Sequence, residues 1–304
     1  MADQPKRCEY STTPKAVRAG LNNQRIAILG LCAMAIATQG QVRIPHRLVD
    51  FSARREGLGR VDAAEVFDTD ALFAWLRRQN LLGGDPDSYH HVNWVDCFSY
   101  GAQIWEDPQQ EDFVADFLRA MRGAAPLRVL ASNLVAALGS DIGYIQLRIE
   151  QDWQDYARAK MASGRRGFLL DPSAIFEKIV ATPETASYRR WFAFCDLAAL
   201  PWNIETIKND IRRQFGLDLL FKPDIAHLFS LPSASLANAS LDFEMALTAP
   251  IYVGLRQSTF SNLVHATRLA ETPATYPNHF LYCSRTKRMP ARQDRTAANG
   301  NITR

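Results

Sequence analysis

The sequence predicts an α/β protein of two domains, each a parallel sheet covered by helices. Three observations carry that expectation. From Phe168 onward, short apolar runs of strand length alternate with helical stretches, a pattern that suits parallel sheets buried on both faces. The chain has 304 residues, room for one large domain or two of about 150 residues each. Apolar residues make up 47% and charged residues 22%, which supports a sizeable core and excludes wholesale disorder.

Residues 1–19 are polar and broken by Pro5 and Pro14, so a loose lead-in with at most one short strand is expected. From Asn22 to about Gln39, Ile26, Leu29, Ala33, Ile36 and Ala37 recur at three-and-four spacing, which predicts a helix buried on a broad face. Gly40 stops it, and Gln41–Pro45 reads as a strand ended by proline. A loop then leads to Phe67-Asp68-Thr69-Asp70 and a helix through Leu72, Phe73 and Leu76, capped near Thr69 or Asp70. Residues 83–95 are loop-rich, and Glu111–Arg122 is amphipathic and helical.

Residues 127–131 and 142–149 read as strands, with a hinge between domains at Asn133–Gly139. Beyond it, the pattern predicts a helix within Phe168–Val180 and a strand around Trp191–Phe194. A helix over Ile204–Phe215, ended by Gly216, and a strand over Leu217–Lys222 follow. The series closes with helix Ser233–Leu247, strand Ile251–Gly254 and helix Ser261–Ala270. The domains expected are 1–138 and 139–284, with 285–304 a basic, disordered tail.

Charge narrows the function classes. The formal net charge is +3, but the tail alone carries +5, leaving −2 for the rest. A nucleic-acid-binding body is expected to be basic itself, so no nucleic-acid partner is expected. Five scattered cysteines with no CxxC suggest free thiols in a reducing compartment. The polar opening does not read as a signal peptide, and the apolar run Ile26–Ala37 is too short to span a bilayer. The expectation is a soluble cytoplasmic protein with no membrane span. His90 and His91 would point to opposite faces of an extended segment, so no metal site is expected there.

Three stretches carry chemistry. Ala249 to Asn262 runs a strand into Gly254, a short polar loop and a helix start rich in hydroxyls at Ser258, Thr259 and Ser261. Free backbone N–H groups and the helix dipole at such a start favour phosphate; the same stretch also reads as a plain helix cap with Phe260 in the core. Gly20-Leu-Asn-Asn-Gln-Arg25 is a glycine turn feeding a helix, with amides at Asn22 and Asn23 and a guanidinium at Arg25. Gln146-Leu-Arg-Ile-Glu-Gln-Asp152 ends an apolar strand. Arg148 there is placed either to clamp a diphosphate or to pair with Glu150 or Asp152.

Taken together and in this order, the stretches resemble the GDP-fucose-dependent fucosyltransferases, above all the O-fucosyltransferase-like families. Gly20 to Arg25, the apolar helix and Val42-Arg-Ile-Pro45 resemble the family's opening G-G-x-N-x-x-R, helix and strand. Phe67–Asp70 resembles its FD-x-D segment, and Leu147–Asp152 its H-x-R-x-E strand end. Leu241-Asp242-Phe243, Ala249-Pro250, Val253-Gly254 and Ser258–Asn262 resemble its C-terminal nucleotide motif. Gln146 stands where the family has histidine, and Ala19 where it has the first of two glycines.

The resemblance implies a GT-B fold, two Rossmann-like domains facing a cleft, and metal-independent, inverting transfer of fucose from GDP-fucose to a protein or glycan hydroxyl. It implies that Arg148 stabilises departing GDP and that Ser258, Thr259, Phe260 and Ser261 hold the diphosphate. Asp242 would contact guanine, while Gly20, Asn22, Asn23 and Arg25 would approach the phosphates from the first domain. No cofactor is implied beyond the donor, and no metal. Gln146 and Ala19 favour the alternative, a non-catalytic nucleotide-sugar or glycan-binding protein of the same fold.

Overall fold

The computed structural model describes residues 7–11, 20–50, 59–82, 89–163, 171–271, 278–283 and 289. They form two compact units. One takes the chain up to Ala131 together with Leu231–Glu244; the other takes Ser132–Ser230 and the chain from Met245. The sequence reading assigns 231–244 to the second half, whereas the chain returns there to the first unit.

In the first unit, β1 (Arg7–Ser11) precedes α1 (Leu21–Ala37) and β2 (Gln41–Arg43). The strands β3 (Arg47–Asp50) and β4 (Gly59–Asp62) form an antiparallel pair. Two helices follow, α2 (Ala63–Val66) and α3 (Thr69–Arg78), then β5 (Tyr89–Asn93), α4 (Trp94–Glu106) and α5 (Glu111–Ala120). β1 lies between β2 and β5, parallel to both. The one short strand allowed in the lead-in is therefore formed, at 7–11.

α1 is buried almost all round, as its apolar run predicts. It crosses α4 at a pair of glycines. A Cβ on Gly30 would lie 1.8 Å from the Cys97 carbonyl oxygen, and one on Gly101 2.1 Å from that of Ile26, so only glycine permits this approach. α4 is absent from the sequence reading, although Trp94, Cys97, Gly101 and Trp105 repeat at helical spacing and are buried. The N-cap of α3 is Asp68, one residue before the expected position; its carboxylate accepts the Ala71 N–H at 3.0 Å and pairs with Arg128 at 2.7 Å.

Residues 127–131 are not a strand, and 133–139 is not a loop. All of 127–131 and 133–138 belongs to α6 (Ala125–Leu138), with Gly139 just past its end, and the chain passes between units within this helix. Val129 is 61% exposed, so the apolar run that mimics a strand is a helix with one face in solvent.

The second unit holds β6 (Ile142–Gln146), α7 (Gln151–Ala162), α8 (Pro172–Ala181), α9 (Pro183–Ala186), β7 (Arg190–Phe194), α10 (Ile204–Phe215), β8 (Asp218–Leu220) and α11 (Lys222–Ile225). After α12 (Ser235–Thr248), which starts in the first unit, come β9 (Tyr252–Leu255), α13 (Thr259–Glu271) and β10 (His279–Tyr282). All five strands are parallel, in the order β10-β9-β6-β7-β8. This is the doubly wound order, with its switch point between β6 and β9. Gly216 ends α10 in the left-handed conformation (φ 66°), as the sequence predicts.

The core of this unit is built from both faces of the sheet, including Ile145, Trp191, Val253 and Phe280 with Ile175, Phe176 and Ile211. Met289 joins it: its side chain is buried and its N–H donates to Thr182 Oγ1 at 3.0 Å. The expectation of a tail loose from Arg285 onward fails at this residue. The rest of 285–304 lies outside the described residues, as do residues 12–19 with Arg18 and Ala19.

Candidate nucleotide-sugar site

In doubly wound sheets ligands bind outside the carboxyl ends of the strands, at the switch point. Here that place is set by the residues following β6 and β9. Beyond β6 the chain runs through Leu147–Glu150 into α7; beyond β9 it turns at Arg256–Ser258 into α13. Arg148 lies two residues past the end of β6 rather than within the strand as read from sequence.

Arg148 is held by carboxylates. Its guanidinium makes two parallel bonds to Asp152, at 3.1 and 2.7 Å, and an ion pair with Glu150 at 2.9 Å. Burial works against its charge, but Glu150 and Asp152 outweigh burial and raise its pKa. The side chain remains 26% exposed, while that of Glu150 is buried. Glu150 also accepts the Asp196 N–H at 3.1 Å, tying the loop after β6 to the loop after β7. Both pairings anticipated from sequence are therefore present together.

α13 starts at Thr259, two residues before the expected Ser261. The Ser258 carbonyl accepts the Asn262 N–H at 3.0 Å, closing the first turn, and the first N–H groups of such a helix have no partner within it. Thr259 and Phe260 are half-buried; Phe260 lies against Phe194 at 6.3 Å. Ser258 is buried.

Ser261 corrects the expectation that its hydroxyl holds phosphate. It is fully buried, donates to Gln146 Oε1 at 2.5 Å and lies 3.0 Å from the Tyr252 hydroxyl. A Cβ on Gly254 would come within 2.2 Å of Ser261 Oγ, so the glycine is needed for this close approach of α13 to β9. Gln146, which the sequence marks only as a departure from the family pattern, thus joins the end of β6 to α13.

The remaining predicted residues belong to the first unit. Gly20 is the N-cap of α1, with extended backbone (φ −60°, ψ 168°) and open space where a Cβ would sit; nothing in its conformation requires glycine. Asn22 is buried, and its Oδ1 accepts from Arg25 Nη1 at 2.7 Å. Asn23 is half-buried, with Oδ1 enclosed and no hydrogen-bond partner among the described residues.

Arg25 is 1% exposed and lies over Phe243 at 3.9 Å and near Phe67 at 5.2 Å. Its Nε and Nη2 find no hydrogen-bond partner among the described residues. Burial pulls its pKa down to about 9, with nearby Glu244 opposing that shift. Its side-chain bond to Asn22 holds that residue from within the core. Asp242, next to Phe243 on α12, is buried in the same unit.

Among the described residues no group of three His, Cys, Asp or Glu side chains is arranged to hold a metal, and no helix is long and apolar enough to cross a membrane. His90 and His91 lie in β5, a strand within the stretch that the sequence reads as loop-rich.

The architecture is that of a GT-B-type α/β protein. Structures of POFUT1 are among the solved structures it resembles. With POFUT1 in complex with GDP-fucose the TM-score is 0.56 at 13% identity, covering 88% of this chain and 95% of that one. With POFUT1 in complex with GDP it is 0.54 at 13% identity, covering 88% and 96%. The apo form of POFUT1 gives 0.55 at 14% identity over the same shares. At such identities the likeness is one of fold. No protein-family model matches the chain, and no curated protein sequence does.

Proposed function

We propose that the protein is a glycosyltransferase that transfers fucose from GDP-fucose to a protein or glycan hydroxyl, with inversion and without a metal. The observation that carries this reading is the switch point between the neighbouring strands β6 and β9, after which the chain runs on to Arg148 and to α13 respectively. The fold is shared with POFUT1, whose structures hold GDP and GDP-fucose.

Glycosyl transfer develops negative charge on the departing diphosphate. A guanidinium and the dipole at the N-terminus of α13 stabilise that charge without rearranging, which is how such sites lower barriers. Asp152 and Glu150 hold the Arg148 guanidinium in place, and a diphosphate would take over the fork from Asp152. Direct displacement of GDP by the acceptor oxygen inverts the sugar carbon.

A second reading has its own observation. Gln146 is a neutral amide whose oxygen already accepts from Ser261, so it supplies no base. A binding protein that holds the donor without turning it over fits that feature.

Thermal melting with GDP or GDP-fucose, with and without EDTA, followed by GDP-fucose turnover, tests both readings. Binding to the native state alone raises apparent stability. Stabilisation that survives EDTA, together with turnover, supports the transferase. Stabilisation without turnover on any acceptor supports the binding protein. Unchanged melting in millimolar GDP overturns both.

A further inference from the structure

The ladder between β6 and β9 pairs Tyr144 with Tyr252 and Ile145 with Val253, and then stops. On its other side the chain of β6 continues one step further, with Leu147 N–H donating to the Phe194 carbonyl at 3.0 Å. Had the β9 ladder continued in register, the Gln146 carbonyl and the Arg148 N–H would both have bonded to one residue of β9.

Instead, the Leu255 carbonyl is taken by the Ser258 N–H at 3.0 Å, as the chain turns into α13. The Tyr282 hydroxyl takes the two vacated places on β6. It donates to the Gln146 carbonyl at 2.7 Å and accepts the Arg148 N–H at 3.2 Å. Tyr282 lies on β10, on the far side of β9, and is 1% exposed. Burial pushes its pKa up, so the hydroxyl keeps its proton.

One phenol thus stands in for a backbone residue at the point where the two strands part. We propose that the Tyr282 hydroxyl is a positioning group for a diphosphate-bearing ligand: it ends the β6–β9 ladder at the switch point and fixes the backbone of Arg148 beside it. This rests on the donor-binding role of Arg148 proposed above. Asp152 and Glu150 fix the guanidinium of that residue, and Tyr282 fixes the main chain that carries it.

The test is Tyr282→Phe, with Tyr144→Phe as a reference. Tyr144 is a buried tyrosine on β6 itself, and its hydroxyl touches neither Gln146 nor Arg148. Two quantities are read on each folded protein: the GDP dissociation constant by calorimetry, and exchange of the Arg148 amide by NMR. Tyr282→Phe is expected to speed Arg148 exchange at least tenfold and to weaken GDP binding about tenfold. Tyr144→Phe is expected to change neither.

Unaltered GDP affinity in Tyr282→Phe, or unaltered Arg148 exchange, overturns the positioning role and leaves the function intact. Failure of the wild type itself to bind GDP overturns the functional reading, and this proposal with it. Should Tyr282→Phe not fold, the wild type decides: saturating GDP must slow exchange of the Arg148 amide, and unchanged exchange overturns the proposal.

Discussion

Ser261 donates its hydroxyl proton to the amide oxygen of Gln146 at 2.5 Å, joining the first turn of α13 to the end of β6. These residues are 115 positions apart, and their bond sets the two sides of the switch point against each other. It also occupies the Ser261 hydroxyl.

Ser261→Ala leaves Gln146 Oε1 and the Tyr252 hydroxyl without this partner in a buried setting. A loss of about 1–3 kcal/mol is expected, read by urea denaturation. Gly254→Ala should cost more, because its Cβ would meet Ser261 Oγ at 2.2 Å in a core that does not yield easily. If Gly254→Ala proves the milder of the two, the close approach is not as tight as described.

Arg148→Ala should lower turnover by a hundred- to a thousandfold, the effect of losing about 3–4 kcal/mol of transition-state stabilisation. It also strips a counter-charge from buried Glu150, so stability falls too. A second change separates the effects: adding Glu150→Gln to Arg148→Ala should restore much of the melting temperature and none of the turnover. Recovery of both would make Arg148 an ion-pair residue alone.

Arg25→Met should fold at least as stably as the wild type, by up to about 1–4 kcal/mol, because it removes a buried charge with unpaired donors. The folded-state pKa lies near 9, below the ordinary value of 12.5. The penalty is therefore full below pH 9 and eases as the pH rises above it. The stability gap between variant and wild type should narrow over that range. Turnover should drop, since Asn22 loses the group that orients its amide. A marked loss of stability at neutral pH would show that stacking on Phe243 outweighs the cost of burying the charge.

Truncation after Ser284 should destabilise the second unit, since it removes Met289 from the core. Met289→Ala alone is expected to cost about 2–5 kcal/mol, measured by denaturation of the full chain. Equal stability of full-length and truncated protein would mean that Met289 packs without consequence.

Local chemistry made much of this protein legible. The apolar periodicity of α1, the Gly216 stop of α10 and the strands around Trp191 and Val253 follow from propensity and pattern, which act over a few residues. Alternation of such elements was enough to predict the α/β class, and motif order was enough to single out Arg148 and the start of α13. The 127–131 run misled because one half-exposed helix face and one buried strand have the same composition. What the tertiary structure alone decided are the pairings across long stretches of chain. Residues 231–244 joined the first unit, Ser261 turned to Gln146, and Met289 entered the core. Tyr282 reached the backbone of Arg148 across 134 residues. Each of these depends on which buried polar group or cavity meets which partner once the sheets are assembled. That is a matter of three-dimensional packing and hydrogen-bond satisfaction, which spacing along the chain does not encode.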